Sequence, residues 1–433
     1  MLAGVAEAPN GNVKLLGRYI RWVKESAYSR RESDGLTIPS EGYVHALAEA
    51  ETLGATCIWV HTHPGAGASP RPSEHDKVVD RKIADLFRLR SGSPYYGAMI
   101  FSPRPSGLAF TGHLQYQGRH ANRIERMWEV GDRWRLTRAE DSALPPLPDI
   151  YDRNVRAFGA AVQHTLSDLE IAIVGCGGTG SAVAEQLTRL GVRHLILIDP
   201  DKLTESNLTR VYGSRISDIG QPKVQVLARH LGGIAPDLRC ETAQSMVTLE
   251  SAARRLVGCD LVFGCTDDNA GRLVLSRLAT YLLTPVIDAG ILLSSDASGH
   301  LTGIDGRVTV LSPGQACLIC RGRIDLARAA AELLTPDERR SREGEGYAPA
   351  LGRTEPAVVA FTTLVGAIAV SELLERLIGY GPDPRPSETL IRCHEREMST
   401  NVSLPRQGHY CHPSSNKLGL GVTRPFLEQT WPT

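Results

Sequence analysis

The sequence predicts an α/β protein, with an α+β domain at the N-terminus followed by a doubly wound, mainly parallel sheet. Three observations predict this architecture. The chain has 433 residues, more than one ordinary core holds, so at least two domains are expected. Its first part mixes strand-like and helix-like runs. From residue 149 onward, short apolar runs alternate with amphipathic ones, as strands and helices do in a parallel sheet.

The domain boundaries are placed where the composition changes. Residues 116–148 are polar, Arg-rich and then Pro-rich, which predicts a linker. The charged and irregular segment 324–356 predicts a flexible loop. The predicted units are therefore an N-terminal domain over 1–115, the linker, a second domain over 149–398, and a Pro/Gly/His-rich tail over 399–433.

The individual elements follow from hydrophobic periodicity. In the first domain, the predicted strands are `CIWVHTHP` and `YYGAMIF`, and the predicted helices are `EGYVHALAEAETLG` and `SEHDKVVDRKIADLFRL`. In the second domain, the strands are `EIAIVGCG`, `HLILIDPD`, `DLVFGCTDD` and `PVIDAGI`, and the helices between them are `TGSAVAEQLTRLG`, `QPKVQVLARHLGGI` and `NAGRLVLSRLATYLL`. The long run `AVVAFTTLVGAIAVSELLERLIG` predicts a core helix, because Ser, Thr and Glu interrupt it.

Composition excludes several function classes. The chain is 42% hydrophobic and 22% charged, as soluble globular proteins are, and its 48 basic residues balance 48 acidic ones. No overall field therefore attracts nucleic acid or an acidic membrane. We find no secretory signal at the start and no run of 18 apolar residues. Nine scattered cysteines are typical of cytoplasmic thiols, with one `CLIC` pair.

A glycine-rich loop, `GCGGTG`, lies between the first predicted strand and helix of the second domain. Gly175, Gly177, Gly178 and Gly180 would let backbone N–H groups approach a phosphate at the helix N-terminus. Asp199 ends the next strand, where a carboxylate binds ribose hydroxyls. These residues alone leave three interpretations open, namely NAD, ATP and a structural glycine turn.

Residues downstream favour ATP. Asn207, Arg210 and Lys223 follow the second strand in `DPDKLTESNLTR` and `DIGQPKV`, and would gather near the phosphates. A dehydrogenase does not need them, whereas reaction at the α-phosphate of ATP develops charge that placed cations stabilise. Asp267, in `CTDDNAGR`, stands at the carboxyl end of a strand as a candidate Mg²⁺ ligand.

Taken in order, these motifs and `CLIC` resemble the adenylating domain of ubiquitin-activating enzymes and their bacterial relatives of the ThiF/MoeB/HesA type. The resemblance implies a Rossmann-like adenylating domain with bound ATP and Mg²⁺. The implied ATP residues are Gly175, Gly177, Gly178, Gly180, Asp199, Asp201, Asn207, Arg210 and Lys223, with Asp267 on Mg²⁺. Arg210 and Lys223 are also the implied catalytic cations.

The resemblance also implies a homodimer in which an arginine from a preceding helix reaches the ATP of the partner. In `YDRNVRAFG` the candidate is Arg153, with Arg156 second. The alternative is that both are surface arginines on a helix.

The implied chemistry is acyl-adenylation of a ubiquitin-like protein with a Gly-rich C-terminus, which needs no protein nucleophile. Many relatives then pass the acyl group to a cysteine before the last long helix. Here Thr354 or its neighbours occupy that place, and the loop has no cysteine. Cys176, Cys259 and Cys265 fall in or beside core strands, where thiols are inert. We expect no stable thioester, and transfer to the cysteine of a conjugating-enzyme-like partner or to another nucleophile.

The pair Cys317 and Cys320 has half-site spacing for tetrahedral zinc. Relatives supply a second pair near the C-terminus. Here Cys411 matches one member, Ser414 stands in place of the other, and His409 or His412 is left for the fourth ligand. The alternative is a pair of free thiols.

The stretch `HTHPGAGASPRPSEHD` resembles the zinc site of JAB/MPN (JAMM) metallopeptidases, which include deubiquitinating isopeptidases. His61 and His63 lie two apart on a strand end, and Asp76 completes three ligands with water as the fourth. Zinc would lower the pKa of that water toward ~7. Ser73 would stabilise the oxyanion. The alternative is a polar loop in which Ser73 caps a helix.

That family also uses an upstream glutamate as general base. Glu7 is the early carboxylate of this chain, and otherwise the base lies before Met1. The two halves together predict a bacterial ubiquitin-like modification enzyme that trims a tail and activates it. Three alternatives stay open, namely a sulfur-carrier activator, an adenylating enzyme whose N-terminal domain only binds the tail, and an NAD oxidoreductase.

Overall fold

The computed structural model describes residues 1–32, 35–63, 70–104, 107–119, 121–139, 144–344 and 356–432. In the first 148 residues, the strands are β1 (Leu2–Glu7), β2 (Val13–Tyr19), β3 (Arg30–Glu32), β4 (Gly35–Thr37), β5 (Thr56–Thr62), β6 (Tyr95–Arg104), β7 (Gly107–Tyr116), β8 (Asn122–Arg123), β9 (Arg126–Val130) and β10 (Trp134–Arg138), and the helices are α1 (Val44–Leu53) and α2 (Glu74–Ser91).

In the rest of the chain, the strands are β11 (Glu170–Val174), β12 (His194–Ile198), β13 (Arg239–Ala243), β14 (Leu261–Gly264), β15 (Val286–Ser295), β16 (Leu301–Leu311), β17 (Glu388–Arg392) and β18 (Glu397–Asn401). The helices are α3 (Asp152–Phe158), α4 (Ala160–Asp168), α5 (Gly178–Arg189), α6 (Lys223–Ile234), α7 (Glu250–Ala253), α8 (Asn269–Tyr281), α9 (Leu326–Glu332), α10 (Pro336–Gly344) and α11 (Val359–Ile378).

The N-terminal domain is a six-stranded sheet in the order β2-β1-β5-β6-β7-β8, with α1 and α2 packed on one face. Strand β5 pairs in parallel with β6, and α2 is the helix that connects them. Helix α2 begins at a capping box of Ser73 and Asp76 and ends at Gly92 in the left-handed conformation. The polar end of β5 therefore lies beside the start of α2.

The prediction of a linker over 116–148 is wrong for much of that segment. It contains β8, β9 and β10, and the polar sequence hides an apolar side: Trp134 is buried and packs against Trp128. The Trp128 indole N–H donates to the Asp260 carbonyl, and Arg126 pairs with the Asp260 carboxylate at 2.9 Å. These three short strands carry too few residues for their alternation to stand out from the arginines among them.

The second domain has an eight-stranded sheet in the order β13-β12-β11-β14-β15-β16-β17-β18. The first five strands are parallel and the last three antiparallel, so the predicted doubly wound, mainly parallel sheet is confirmed. One core lies between the sheet and α4, α5, α6 and α11; the other includes residues of α7, α8 and the C-terminal segment. The strand order reverses between β11 and β14, where such sheets bind ligands.

Segment 324–356 is not wholly irregular, because it contains α9 and α10. Helix α9 starts at Asp325, whose carboxylate accepts the N–H groups of Ala327 and Arg328. Thr354 lies outside the described residues. Among those that are described, no helix is long and apolar enough to cross a membrane.

The two domains are packed against each other through the β1–β2 hairpin. Lys14 is half-buried and donates to the Cys259 carbonyl at 2.6 Å and to Thr284 Oγ1 at 2.9 Å. Arg18 donates to the carbonyls of Leu418 and Asn416. The predicted tail over 399–433 thus contacts the N-terminal domain at residues 416 and 418.

Candidate functional site

The glycine loop closes tightly between β11 and α5. Gly175 has φ +91°, and a Cβ there would lie 2.5 Å from the Cys265 carbonyl oxygen. A Cβ at Gly180 would lie 1.8 Å from the Gly175 oxygen, so both positions exclude a side chain. Gly177, the residue before the helix, faces open space, with no described atom within 4 Å of a Cβ placed there. The N–H groups of the first turn of α5 adjoin this space, and such groups favour an anion at a helix N-terminus.

Asp199 fixes this loop to the end of β12. Its Oδ2 accepts the Cys176 N–H at 2.6 Å, and its Oδ1 accepts the Asp201 N–H at 2.9 Å. Burial raises the pKa of Asp199. Each carboxylate oxygen keeps a lone pair, so the predicted bond to a ribose hydroxyl remains possible.

The predicted cations lie on the loops that follow β12. Lys223 starts α6 and is buried, with Nζ 2.7 Å from Asp201 Oδ2. Asn207 is buried and accepts the Thr204 N–H, which orders the turn carrying Arg210. Arg210 Nη1 donates to the Ser206 carbonyl at 2.8 Å.

Two further predicted residues are exposed and have no hydrogen-bond or ion-pair partner among the described residues. Asp267 follows β14, the strand beside β11, whereas its neighbour Asp268 is occupied in capping α8. Asp267 is therefore a carboxylate without a described partner at this edge of the sheet. On α3, Arg153 is free, whereas Arg156 pairs with Asp152 at 2.9 Å.

The four predicted sulfur and nitrogen ligands come together at the C-terminal segment. His409 Nδ1 lies 3.6 Å from Cys317 Sγ, 3.4 Å from Cys320 Sγ and 3.3 Å from Cys411 Sγ. Cys320 and Cys411 are 3.6 Å apart. A zinc–sulfur bond of about 2.3 Å gives a tetrahedron with edges of about 3.8 Å, so the donor set fits zinc. We call these four residues the cysteine cluster.

His412, the alternative fourth ligand, is outside this cluster. Its Nδ1 lies 2.7 Å from Ser414 Oγ and accepts the Ser414 N–H. The backbone turn directs His409 toward the sulfurs and His412 away from them.

His61, His63 and Asp76 form a second cluster, which we call the histidine cluster. The two Nε2 atoms are 3.3 Å apart, and each lies 3.2 Å from one oxygen of Asp76. Zinc–nitrogen and zinc–oxygen bonds of about 2.0–2.1 Å give edges of about 3.3 Å, which matches the separation of the two rings and that of each ring from its nearer Asp76 oxygen, so the donor set fits zinc. Burial lowers the pKa of His61, which favours the neutral ring that binds metals.

Ser73 acts first as a helix cap. Its Oγ accepts the Asp76 N–H at 3.1 Å and lies 2.7 Å from Asp76 Oδ2. Ser73 therefore caps α2 and also contacts Asp76, the candidate metal ligand. The capping and metal-binding interpretations of this stretch are compatible.

A cleft of about 290 Å³ opens beside the histidine cluster, between α2 and the sheet. His61 and Asp76 line one part of it. The other lining residues are Trp59, Pro72, Lys77, Asp80, Ala98, Ile100, Thr111, Gly112, His113, Ala121 and Arg123. A three-donor cluster at the wall of a cleft leaves room for a ligand in the fourth position.

Glu7 is not near this cleft, so its candidacy as general base is wrong. Strand β1 is antiparallel to β5, with Leu2 opposite Cys57. From that pair, Glu7 lies five residues along the strands in one direction and His61 four residues in the opposite direction. At a strand rise of about 3.3 Å per residue, the two residues are about 30 Å apart along the strands. The Glu7 carboxylate instead accepts a hydrogen bond from the Tyr95 hydroxyl.

Comparison with known proteins decides the family of the second domain. Residues 151–412 match the ThiF family. The chain belongs to the ThiF family. The match includes the glycine loop, Lys223, Asp267 and the cysteine cluster, and it leaves the histidine cluster outside.

Three curated relatives are similar to this ThiF-family chain. It is 30% identical over 230 residues to "Ubiquitin-like modifier-activating enzyme 5" of Oryza sativa subsp. japonica, covering 50% of the chain and 49% of the relative. It is 32% identical over 160 residues to "Sulfur carrier protein ThiS adenylyltransferase" of Escherichia coli, covering 36% and 60%. It is 27% identical over 255 residues to "Molybdopterin-synthase adenylyltransferase" of Escherichia coli, covering 57% and 90%. The chain thus spans about half the length of the first relative and three fifths of the second.

Three thiols of the ThiF domain, those of Cys176, Cys259 and Cys265, are unsuited to nucleophilic attack. Cys176 and Cys259 are fully buried, and burial raises the pKa of each well above its usual value. Burial also raises the pKa of Cys265. A thiol held protonated is a poor nucleophile.

Sequence reasoning missed two groups of polar residues. Asp288 is fully buried, 2.9 Å from Arg307 Nη2 and 3.5 Å from Arg272 Nε, beside the end of β14. In the other domain, Asp80 and His113 share the cleft with the histidine cluster. Asp80 follows Asp76 by one helical turn, a spacing visible in `SEHDKVVD`, but nothing local in the sequence places His113 beside it.

Proposed function

We propose that the chain adenylates the C-terminal carboxylate of a ubiquitin-like or sulfur-carrier protein, using ATP held at the glycine loop. The open space at Gly177, with Lys223 set on Asp201 beside it, is the observation that carries the proposal. The relatives whose names refer to ubiquitin-like modifiers and to ThiS support the choice of substrate.

The residues would share the work by charge. The first turn of α5 holds a phosphate, and Asp199 accepts a ribose hydroxyl while it keeps the loop closed. Lys223 and Arg210 stabilise the charge that develops when the substrate carboxylate attacks the α-phosphate and pyrophosphate leaves. Asp267 would hold Mg²⁺, which supplies further charge stabilisation on the phosphates.

We place the second arginine of the site across a homodimer. Arg153 is exposed on α3 without a described partner, as a residue that reaches into another protomer would be. Because the loop before α11 has no cysteine and Cys176 and Cys259 are buried, the acyl adenylate passes directly to a nucleophile on a partner, such as the cysteine of a conjugating enzyme, and no stable thioester forms on this chain.

The N-terminal domain is proposed to be a zinc hydrolase of the JAB/MPN type acting on the same kind of tail. The donor spacing in the histidine cluster and the adjoining cleft support it. Zinc there would polarise a carbonyl and supply a nucleophile near neutral pH. The cysteine cluster would hold a second, structural zinc.

A second candidate for this domain is a binding module that holds zinc and docks the tail without cutting it. The remote position of Glu7 favours it, since Glu7 cannot serve the cleft as general base. Cleavage of a Gly-Gly conjugate by the wild-type protein separates the two candidates.

Pyrophosphate exchange into ATP tests the adenylating function. The purified protein is given a panel of ubiquitin-like and sulfur-carrier proteins that end in Gly-Gly, each with and without its last glycine. We expect exchange with at least one intact protein, none with its truncated form, and loss of exchange in Arg210→Ala. Exchange with no member of the panel, together with binding of NADH, would return the assignment to an oxidoreductase.

A further inference from the structure

We propose that Asp80 and His113 form a proton-transfer pair in the cleft, with His113 as the group that moves the proton during hydrolysis. The inference rests on the proposed hydrolase function. It concerns residues outside the histidine cluster, and it answers the absence of Glu7 from the cleft.

The pair is built by three elements that meet at the cleft. Asp80 lies on α2, one turn after Asp76, so both carboxylates point toward the same sheet face. Tyr96 on β6 is fully buried, and its hydroxyl donates to Asp80 Oδ1 at 2.6 Å. His113 on β7 places Nε2 3.3 Å from Asp80 Oδ2. The Asp80 carboxylate is thus held by the Tyr96 hydroxyl on the sheet and faces the His113 imidazole.

The register of the sheet puts His113 on the same face as the histidine cluster. His61 pairs with Ile100, which pairs with Thr111; two residues along, Ala98 pairs with His113. His113 is therefore displaced from His61 by two strands, about 10 Å, and by two residues, about 7 Å. That separation leaves room for the scissile bond between the metal ligands and the imidazole.

The charge state of Asp80 suits an orienting role. Burial raises the pKa of Asp80, but the hydrogen bond from Tyr96 and the close contact with His113 outweigh it and the pKa is lowered. An ionised Asp80 only accepts hydrogen bonds, so with its Oδ2 3.3 Å from Nε2 it would favour the ring that carries the proton on Nε2 and leaves Nδ1 unprotonated. The side chain of His113 is 27% exposed, so the ring is in reach of water in the cleft.

The proton balance is complete within these groups. Water forms a bond from its oxygen to the carbonyl carbon of the tail, and its proton goes to His113 Nδ1. The carbon–nitrogen bond then breaks, and Nδ1 gives the proton to the leaving amine. The products are the C-terminal carboxylic acid of the tail and the free amine, with no oxidant or co-reactant required.

The cleavage test uses full-length protein loaded with zinc and a peptide ending in Gly-Gly joined to aminomethylcoumarin. Removing a general acid–base group costs about 10²–10⁴-fold, so His113→Gln and Asp80→Asn should lose at least ~10²-fold in kcat with zinc content unchanged. Tyr96→Phe is the matched control. It removes one hydrogen bond to Asp80 but leaves the pair, and we expect a loss below about 10-fold.

A readout that does not depend on cleavage is the tautomer of His113, read from the ring ¹⁵N shifts with and without zinc. Wild-type protein should show the Nε2–H form, and Asp80→Asn should show a mixture. An Nδ1–H ring in the wild type would overturn the proposal, as would cleavage by His113→Gln within about 3-fold of wild type.

The outcomes separate this inference from the function on which it rests. If wild type cleaves, His61→Ala does not and His113→Gln does, the hydrolase stands and the pair is a structural anchor for α2. If wild-type protein binds zinc at the histidine cluster and does not cleave, both the hydrolase and the proton-transfer role fall, and the docking module remains.

Discussion

The cysteine cluster and the histidine cluster, the two groups of candidate metal ligands, differ in the number and burial of their donor atoms. The cysteine cluster has four donor atoms that all lie within 4.8 Å of one another, and two of its cysteines, Cys317 and Cys411, are buried. The histidine cluster has three donors, each of them partly exposed, at the wall of a cleft. A metal ion with four protein ligands has no free coordination position and serves a structural role. A metal ion with three protein ligands can bind water or a substrate in the fourth position. The same ion would thus stabilise one part of the molecule and react in the other.

The largest expected effect comes from opening the closed cluster. Cys317→Ser with Cys320→Ser should lose one zinc and about 4 kcal/mol or more of stability, because the metal joins `CLIC` to the C-terminal segment. That corresponds to a fall in Tm of about 10 °C, measured by scanning calorimetry. His61→Ala with His63→Ala is the matched control and should lose one zinc with a far smaller change in Tm. Equal falls in the two variants would erase the distinction between the clusters.

The next effect separates the adenylating site from both clusters. Lys223→Met removes the buried cation that Asp201 holds, and should lower pyrophosphate exchange by about 10²–10³-fold. Both zincs should remain. Lys202→Met, a neighbouring exposed lysine, is the control and should leave exchange within about 2-fold. An unchanged rate in Lys223→Met would show that the loop after β12 does not contact the phosphates.

The glycine loop, its carboxylates and the cysteine cluster can largely be predicted from the sequence. Each lies in short motifs, such as `GCGGTG` and `CLIC`, whose residue types and spacing are visible without knowledge of the tertiary structure. Gly175 is required locally by its positive φ, and Gly180 by its close approach to Gly175 within the same loop. The choice of His409 over His412 was not predictable, since it depends on which ring a tight turn directs inward.

Features that depend on strand register were missed for a physical reason. His113 meets Asp80 only because β7 pairs with β6 at one register, and no local pattern encodes that pairing. The sequence predicts a linker where β9 and β10 lie, because two tryptophans among several arginines produce only a weak hydrophobic pattern. Glu7 was misplaced because the direction of β1 relative to β5 is a tertiary fact.

A smaller effect sharpens the comparison at the open cluster. Ser73→Ala removes the cap of α2 and the contact to Asp76 Oδ2, so stability should fall by about 1 kcal/mol. Zinc affinity at the histidine cluster should fall about 10-fold or more, because the ligand loses its orienting partner. Competition with a chromophoric chelator measures it. Unchanged affinity would limit Ser73 to capping.

The smallest effect concerns the pH range of ATP binding. Because burial raises the pKa of Asp199, lowering the pH should protonate it at a pH above that of an ordinary aspartate. Protonation removes acceptors for Cys176 and Asp201, so ATP affinity should weaken a few-fold as the pH falls through that raised value. Calorimetric titration across pH measures it, and Asp199→Asn should remove that pH dependence. A wild-type affinity that is flat down to the usual aspartate range would contradict this role.

The most direct test of the two-cluster account is to count zinc in purified protein. Wild type is compared with His61→Ala/His63→Ala and with Cys317→Ala/Cys320→Ala. The account predicts two zincs in wild type, with one lost in each variant and the other retained. One zinc in wild type, lost only with the cysteines, would contradict it and leave an adenylating enzyme whose N-terminal domain holds no metal.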